Sequence, residues 1–547
     1  MKKIFQSNKP SLLLTASAVT IFAAVLLFHK LGQQAPTLYN WEQYTVWRIL
    51  DDRFQSQSVT TYLQVTNGLM IDTARSPIVG LPIKLLLSNF GYTLALLRVW
   101  PAFLTLLGIV ACFVFLAKVF TVKIATVTAL LLCSSQALLV YGRTGTNTAP
   151  TLLAEIMAVA WLYYGLPKKQ TVRTVLISFI VISFNTYFYA PIRFFTPFLL
   201  LLPLKWIIQQ SIELINHVSP DRTQQKTAII ISTSILLGLL VCTLFFSKPL
   251  IEEYFHGRGE QVVSLLASDR GSIETYQNAA SQIYSNSQGL LKLFFSIDTQ
   301  PTLADYAAMG QLIHYLLVPF FFVGILAPIR SDGVRNFEKK RRLVLIWFLM
   351  TALPILFTSN LHVGRLFLSL PHMFLICAIG IHIVFQAFSS YIETASSTIL
   401  KRSLIAGLRI SFVIFFLIVI SSDVTAYFST KVSVDHNIKV LQEHSLILQK
   451  KQVVLVNFES STLHFWEMFY FLRQRIHFID SDTDQAIDAK HEIEQRSNGI
   501  LIRNGGSYSN LTKYCNNSDT ALVAIGGTHD QRAMLKQSCQ TQLIQLY

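Results

Sequence analysis

In TLYNWEQYTVWRILDDRF, residues 38–55, one carboxylate, Glu42, follows Asn40 by two positions. Asn is a strong helix N-cap, and Gln43 completes a capping box, so Glu42 takes the second position of a first helical turn. The field at a helix N-terminus favours an ionised carboxylate by roughly 0.3–1 kcal/mol. An ionised acid held in this way could act as general base toward a hydroxyl; the plainer reading is an ordinary first-turn acid. Asp51 and Asp52 come nine and ten residues later. On one straight helix that is about 14 Å, too far to share a metal or a proton with Glu42. Solvation, or pairing with Arg48 or Arg53, accounts for them.

The complementary charges are arginines at the ends of apolar runs: Arg143 in YGRTGTN, Arg193 in YFYAPIR, which also carries Tyr187, and Arg365 in HVGR, beside His362. Guanidinium binds phosphate bidentately and stays charged, so a lipid-linked phosphate or pyrophosphate is a fitting anion. Snorkelling to lipid headgroups is the alternative. Glu155, within TAPTLLAEIMAVAWLYYGL, is an acid inside an apolar run. Such residues default to a functional hypothesis, although a partner such as Arg143 or a buried tyrosine would make it structural.

The elements that must position these groups are membrane helices. Of the 547 residues 52% are hydrophobic and 14% charged, whereas soluble chains carry about a quarter charged residues. We expect spans at about 11–29, 99–117, 124–142, 149–167, 174–192, 194–210, 228–247, 311–329, 343–359, 366–388 and 403–421, eleven in all. The run ending at Phe28 is longer than a signal-peptide core and no clear small-residue cleavage site follows it, so it reads as a retained first helix. Lys and Arg gather in alternate short loops, most densely at Arg330, Arg335, Lys339, Lys340, Arg341 and Arg342. The positive-inside rule then puts the N-terminus in the cytoplasm and the C-terminal tail outside. It also explains the net charge of +15 without nucleic acid. The polar segments 30–98, 248–310 and 422–547 all fall on the outer side. Within the first, PIVGLPIKLLLS (77–88) is short and interrupted by Pro77 and Pro82, which fits a re-entrant or interfacial helix.

Two domains are expected: a transmembrane module over 1–421 and a small extracytoplasmic α/β domain over 422–547. In the tail, VVLVNF (453–458), GILI (499–502) and ALVAIGG (521–527) read as buried strands, with helical character at 463–474 and 484–496. Cys112, Cys133, Cys242 and Cys377 lie in apolar runs and read as packing residues. Cys515 and Cys539 lie in the polar tail. An oxidising outer face would allow them to form a disulfide, and two free thiols are the alternative. No Cys/His spacing indicates zinc, and the isolated carboxylates indicate no tight protein-only metal site.

RVWPAFLTLLGIVACFVFLAKVF, ALLLCSSQALLVYGRTGTNTAPTLL and SFNTYFYAPIRFFTPFLLLL, in that order, resemble bacterial members of the GT-C glycosyltransferase superfamily. The branch is the protein O-mannosyltransferase-like, lipid A aminoarabinose transferase-like group (glycosyltransferase families 39 and 83). EEYFHGRGEQVVSL (252–265) and LHVGRLFLSLPHMFLICAIG (361–380) resemble its later segments; the likeness covers roughly 1–420. It implies a multi-pass enzyme of the bacterial plasma membrane that moves a sugar from a polyprenyl-phosphate carrier to a hydroxyl of a cell-envelope acceptor, with inversion. The family's outer-loop Asp-Glu motif falls on Trp41-Glu42, so Glu42 would be the base. Arg193, Arg258 and Arg365, with His362, would contact the donor phosphate. Arg143, Asn147, Tyr187 and Glu155 would line the site. No cofactor is firmly implied, and a divalent metal stays open. Trp41 stands where the family's Asp is usual, Asn147 cannot act as a base, and the usual His-Pro-Pro is absent. These departures keep a catalytically silent glycan-binding relative in view. A lipid-linked saccharide transporter is a further alternative. It would want polar groups at mid-bilayer and repeat symmetry, whereas here the polar groups gather at the outer ends.

Overall fold

The computed structural model describes residues 9–33, 77–90, 93–145, 150–165, 312–327, 335–352, 366–393 and 398–429, scattered helical residues within 177–181, 201–212 and 281–291, and four strands of the tail. Its helices are α1 (Lys9–Phe28), α2 (Pro77–Phe90), α3 (Leu94–Val119), α4 (Val122–Ser134), α5 (Gln136–Gly142), α6 (Thr151–Gly165), α7 (Val318–Leu326), α8 (Arg335–Ala352), α9 (Leu370–Glu393) and α10 (Thr398–Ser429). Short 3-10 turns, Tyr315–Leu317 and Phe367–Ser369, lead into α7 and α9. Among the described residues three helices are long and apolar enough to cross a membrane: α3, α10, and α9 with its leading turn. A fourth span results if α4 and α5 are taken together. The chain is an α-helical, multi-pass membrane protein. The expected spans at 174–192, 194–210 and 228–247 lie almost wholly outside the described residues.

The span expected at 124–142 is not one straight helix. It breaks at Ser135 into α4 and α5, bent by 65°. The cause is local. Ser135 is extended (φ −62°, ψ 138°) and caps both pieces, its hydroxyl donating to the Leu132 carbonyl and accepting from the Leu138 amide. Serine competes with the helical ladder for backbone partners, so the tandem Ser134–Ser135 is a natural breakpoint. The short segment at 77–88 is helical from Pro77 through Phe90, with Pro77 at the first position, where no amide donor is needed.

The chain divides into two compact units: Met1–Leu31, Ser58–Pro82 and Arg98–Thr430 in one, and Gly32–Gln57, Ile83–Leu97 and Lys431–Tyr547 in the other. In the first, α9 is the central helix. Every residue from Leu370 through Ile381 is buried, and α9 packs on α4, α7, α8 and α10. Its contact with α7 runs backbone to backbone. A Cβ on Gly380 would collide with the Phe320 carbonyl, and one on Gly324 with the Ile376 carbonyl. Small residues allow this approach, which in an apolar solvent supplies packing that the hydrophobic effect cannot. By contrast, the most apolar 18-residue stretch of α10 is only 6% buried, leaving its apolar side chains for lipid.

Basic side chains close the ends of these helices. Lys340 donates to the carbonyl of Val119, the last residue of α3, and Arg341 to that of Ala327, just past α7. Arg98 donates to the Leu31 carbonyl (3.3 Å) and Arg143 to that of His29, both in the turn after α1. Carbonyls at helix C-termini lack intrahelical partners and carry the negative end of the dipole. A cation there satisfies both deficits.

The tail contains four strands: β1 (Gln452–Asn457), β2 (Gly499–Arg503), β3 (Thr520–Ile525) and β4 (Gln542–Leu546). All pair in parallel, in the order β2-β1-β3-β4. β1, β2 and β3 fall where the apolar runs place them, β3 ending two residues before the expected limit. β4, QLIQL, is additional; polar residues break its apolar run, so periodicity alone does not mark it. The connections 458–498, 504–519 and 526–541 each exceed the dozen or so residues that a parallel crossover needs. The expected helices at 463–474 and 484–496 lie outside the described residues.

Candidate functional site

At one end of the first unit, four helix ends meet. Arg143 follows α5 and is 2% exposed. Its guanidinium donates to the His29 carbonyl beyond α1 and lies over the rings of Tyr427 (5.2 Å) and Phe428 (5.0 Å) at the end of α10. Tyr141, two residues earlier, meets Phe367 edge to face at 6.0 Å, in the turn that starts α9. In chain order, these ends lead to the stretch bearing Glu42, to that bearing Asn147, and back to that bearing His362 and Arg365. Arg143 thus ties the ends of α1, α5 and α10 together.

About one helical turn inside α6 lies a buried polar cluster. Glu155, Trp347 and His372 come from α6, α8 and α9. Glu155 and His372 are fully buried, and Trp347 is 8% exposed. The Trp347 indole donates from Nε1 to Glu155 Oε1 at 3.0 Å. His372 Nε2 lies 3.2 Å from the same oxygen, too poorly aligned to count as a hydrogen bond. Indole and imidazole stand nearly perpendicular, with centroids 3.6 Å apart. Glu155 Oε2 has no hydrogen-bond partner among the described residues. One turn along α8 from Trp347, Thr351 accepts from Ser369 at 3.3 Å, tying α8 to the turn that starts α9. The expected partners of Glu155, Arg143 or a tyrosine, are replaced by an indole and an imidazole distant in sequence.

Trp347, His372 and Arg98 are absent from the sequence-derived set. A histidine in LSLPHMFL, within an otherwise apolar helix, is a signal of the same kind as Glu155, but nothing local says that the two meet. Glu42, Asn147, Tyr187, Arg193, Arg258, His362 and Arg365, with Cys515 and Cys539, lie outside the described residues. Among the described residues no three His, Cys, Asp or Glu side chains gather to hold a metal ion.

No family model matches the chain, and no curated protein matches it by sequence. Solved structures do. The chain is similar to ArnT from Cupriavidus metallidurans in the apo state at 11% identity and a TM-score of 0.48, covering 95% of this chain and 94% of that one. It is similar to the same ArnT bound to undecaprenyl phosphate at 10% identity and a TM-score of 0.45, covering 96% and 95%. It is also similar to the Archaeoglobus fulgidus oligosaccharyltransferase in the apo form at 11% identity and a TM-score of 0.45, covering 86% of this chain and 64% of that one.

Proposed function

We propose that this protein is an integral membrane glycosyltransferase that moves a sugar from a polyprenyl-phosphate donor to a hydroxyl on a lipid, glycan or protein of the cell envelope. The observation that carries this reading is the meeting of helix ends around Arg143. It brings together the ends of α1, α5 and α10 and the start of α9, and the last residues of α5 and the first of α9 are near in sequence to Asn147 and Arg365. A base and a phosphate-binding cation have to be neighbours for such a transfer, and the sequence resemblance assigns those roles to Glu42 and Arg365.

In this reading Glu42 takes the proton of the acceptor hydroxyl as its oxygen attacks the anomeric carbon. The bond from that carbon to the donor phosphate breaks with inversion. The phosphate leaves as an anion stabilised by Arg365, Arg193 and Arg258. Undecaprenyl phosphate, named in the second ArnT structure, is a carrier of the class proposed.

The test is transfer by purified protein from a panel of polyprenyl-phosphate sugars, comparing wild type with Glu42→Gln. Removing a general base costs about 10²–10⁴-fold in turnover, and a loss of that size is expected. Equal, robust transfer by both would remove Glu42 from the role. No transfer across a broad donor panel would favour a silent glycan-binding protein.

A further inference from the structure

Away from the end where Arg143 lies, a second group of basic residues meets at the corner between α3 and α4. Lys118 is in the last turn of α3 and Lys123 in the first turn of α4. Both are exposed. Between them, Val119 and Phe120 receive Lys340 of α8, whose ammonium donates to the Val119 carbonyl and lies over the Phe120 ring at 5.9 Å. Phe120 meets Phe337 of α8 edge to face at 5.7 Å, and Phe337 meets His382 of α9 at 6.2 Å. His382 is twelve residues along α9 from Leu370, about 18 Å at the helical rise, so the corner is separate from the proposed transfer site. Its charge is uncompensated. Glu338, the one acid of α8, is taken by Arg341 and Arg342. Among the described residues Lys118, Lys123 and Lys340 have no acidic partner. The Val119 carbonyl takes one of the three ammonium protons of Lys340 and leaves two for an anion.

We propose that the α3–α4 corner is a binding site for an anionic phospholipid, its phosphodiester held by Lys118, Lys123 and Lys340. The site goes beyond the transfer reading and uses none of its residues. The helix α3 is long and apolar enough to cross a membrane and ends at Val119, which puts the corner at the depth of lipid headgroups. Phe120 and Phe337, both half-buried, give apolar surface beside the cations, so a phosphate that brings its own acyl chains fits better than a free anion. The positive-inside bias by itself asks only that basic residues lie on one side. Here three cations from three helices converge on one corner, which is what a bound headgroup needs.

The experiment is native mass spectrometry of the full-length protein titrated with phosphatidylglycerol or with zwitterionic phosphatidylcholine, reading the dissociation constant of the first lipid bound. The readout is the ratio of the two constants, which a loss of folded protein does not change. Wild type is compared with Lys118→Gln/Lys123→Gln and with Lys401→Gln/Arg402→Gln, which removes the same charge near the start of α10. We expect wild type to prefer phosphatidylglycerol and the first double variant to lose about fivefold of that preference for each lysine. The second double variant should stay near the wild-type ratio. No preference in wild type, or an unchanged ratio in Lys118→Gln/Lys123→Gln, would overturn the proposal. Equal losses in the two double variants would overturn it as well, because they would mean diffuse attraction rather than a site. Release of bound phosphatidylglycerol by inorganic phosphate, but not by chloride at equal ionic strength, would give the corner to a free anion and remove the lipid.

Discussion

At the scale of single residues, the basic side chains have specific backbone partners. Lys340 and Arg341 belong to the densest cationic cluster of the sequence, and each also closes a helix C-terminus. Arg341 further pairs with Glu338 at 2.9 Å, and Arg342 pairs with it at 3.1 Å. Partial burial alone would raise the Glu338 pKa, but hydrogen bonds and charge from Arg341 and Arg342 outweigh it and hold the carboxyl below its usual 4.5. A carboxylate depressed in the folded state stabilises fully above its unfolded pKa, and that contribution fades as pH falls through the folded value. Glu338→Gln should therefore lower the thermal midpoint slightly at neutral pH and lose its effect in acid well below 4.5. Midpoints of the detergent-solubilised variant and wild type across that range check it; a difference independent of pH would rule out the ion pairs as its source. Glu155 could be singled out from sequence because an acid in an apolar run is conspicuous. Its partners could not, since Trp347 is 192 residues away and no local pattern encodes so distant a contact.

At the scale of elements, apolar runs locate helices well, because a span needs length and hydropathy and little else. The run at 366–388 became α9 and that at 403–421 became α10, which continues to Ser429. Hydropathy is blind to how a run is divided. The 124–142 run reads as one apolar stretch, and only the capping chemistry of Ser135 explains the 65° bend. Equally hidden is the pairing of Gly324 with α9 and of Gly380 with α7, since a glycine in an apolar run does not say what it faces. Gly380→Ala should destabilise the protein by at least the 1–3 kcal/mol typical of overpacking, because its methyl group would displace backbone. Gly407→Ala on α10 is the contrast. A Cβ there meets nothing within 4 Å, and removing a helical glycine should be neutral or stabilising by up to about 1 kcal/mol. Thermal midpoints of the two variants in the same lipid would separate these outcomes; equal shifts would mean the close α7–α9 contact carries little.

At the scale of the whole molecule, the positive-inside expectation is that all three long polar segments fall on one side of the membrane. Alkaline phosphatase fused after Tyr547 should be active and a fluorescent protein at the same point dark; the reverse would invert the topology. The parallel sheet of the tail was partly legible, since β1, β2 and β3 each centre on a short apolar run. Its order, with β3 beside β1, depends on pairings that no strand's own sequence declares. The glycine contact between α7 and α9 also has a mechanical consequence. Two helices whose backbones touch cannot slide or swivel without one riding over the other, so they form a stiff beam through the bundle. Among the described residues the contrast is the Ser135 joint, where the helical ladder is interrupted between α4 and α5.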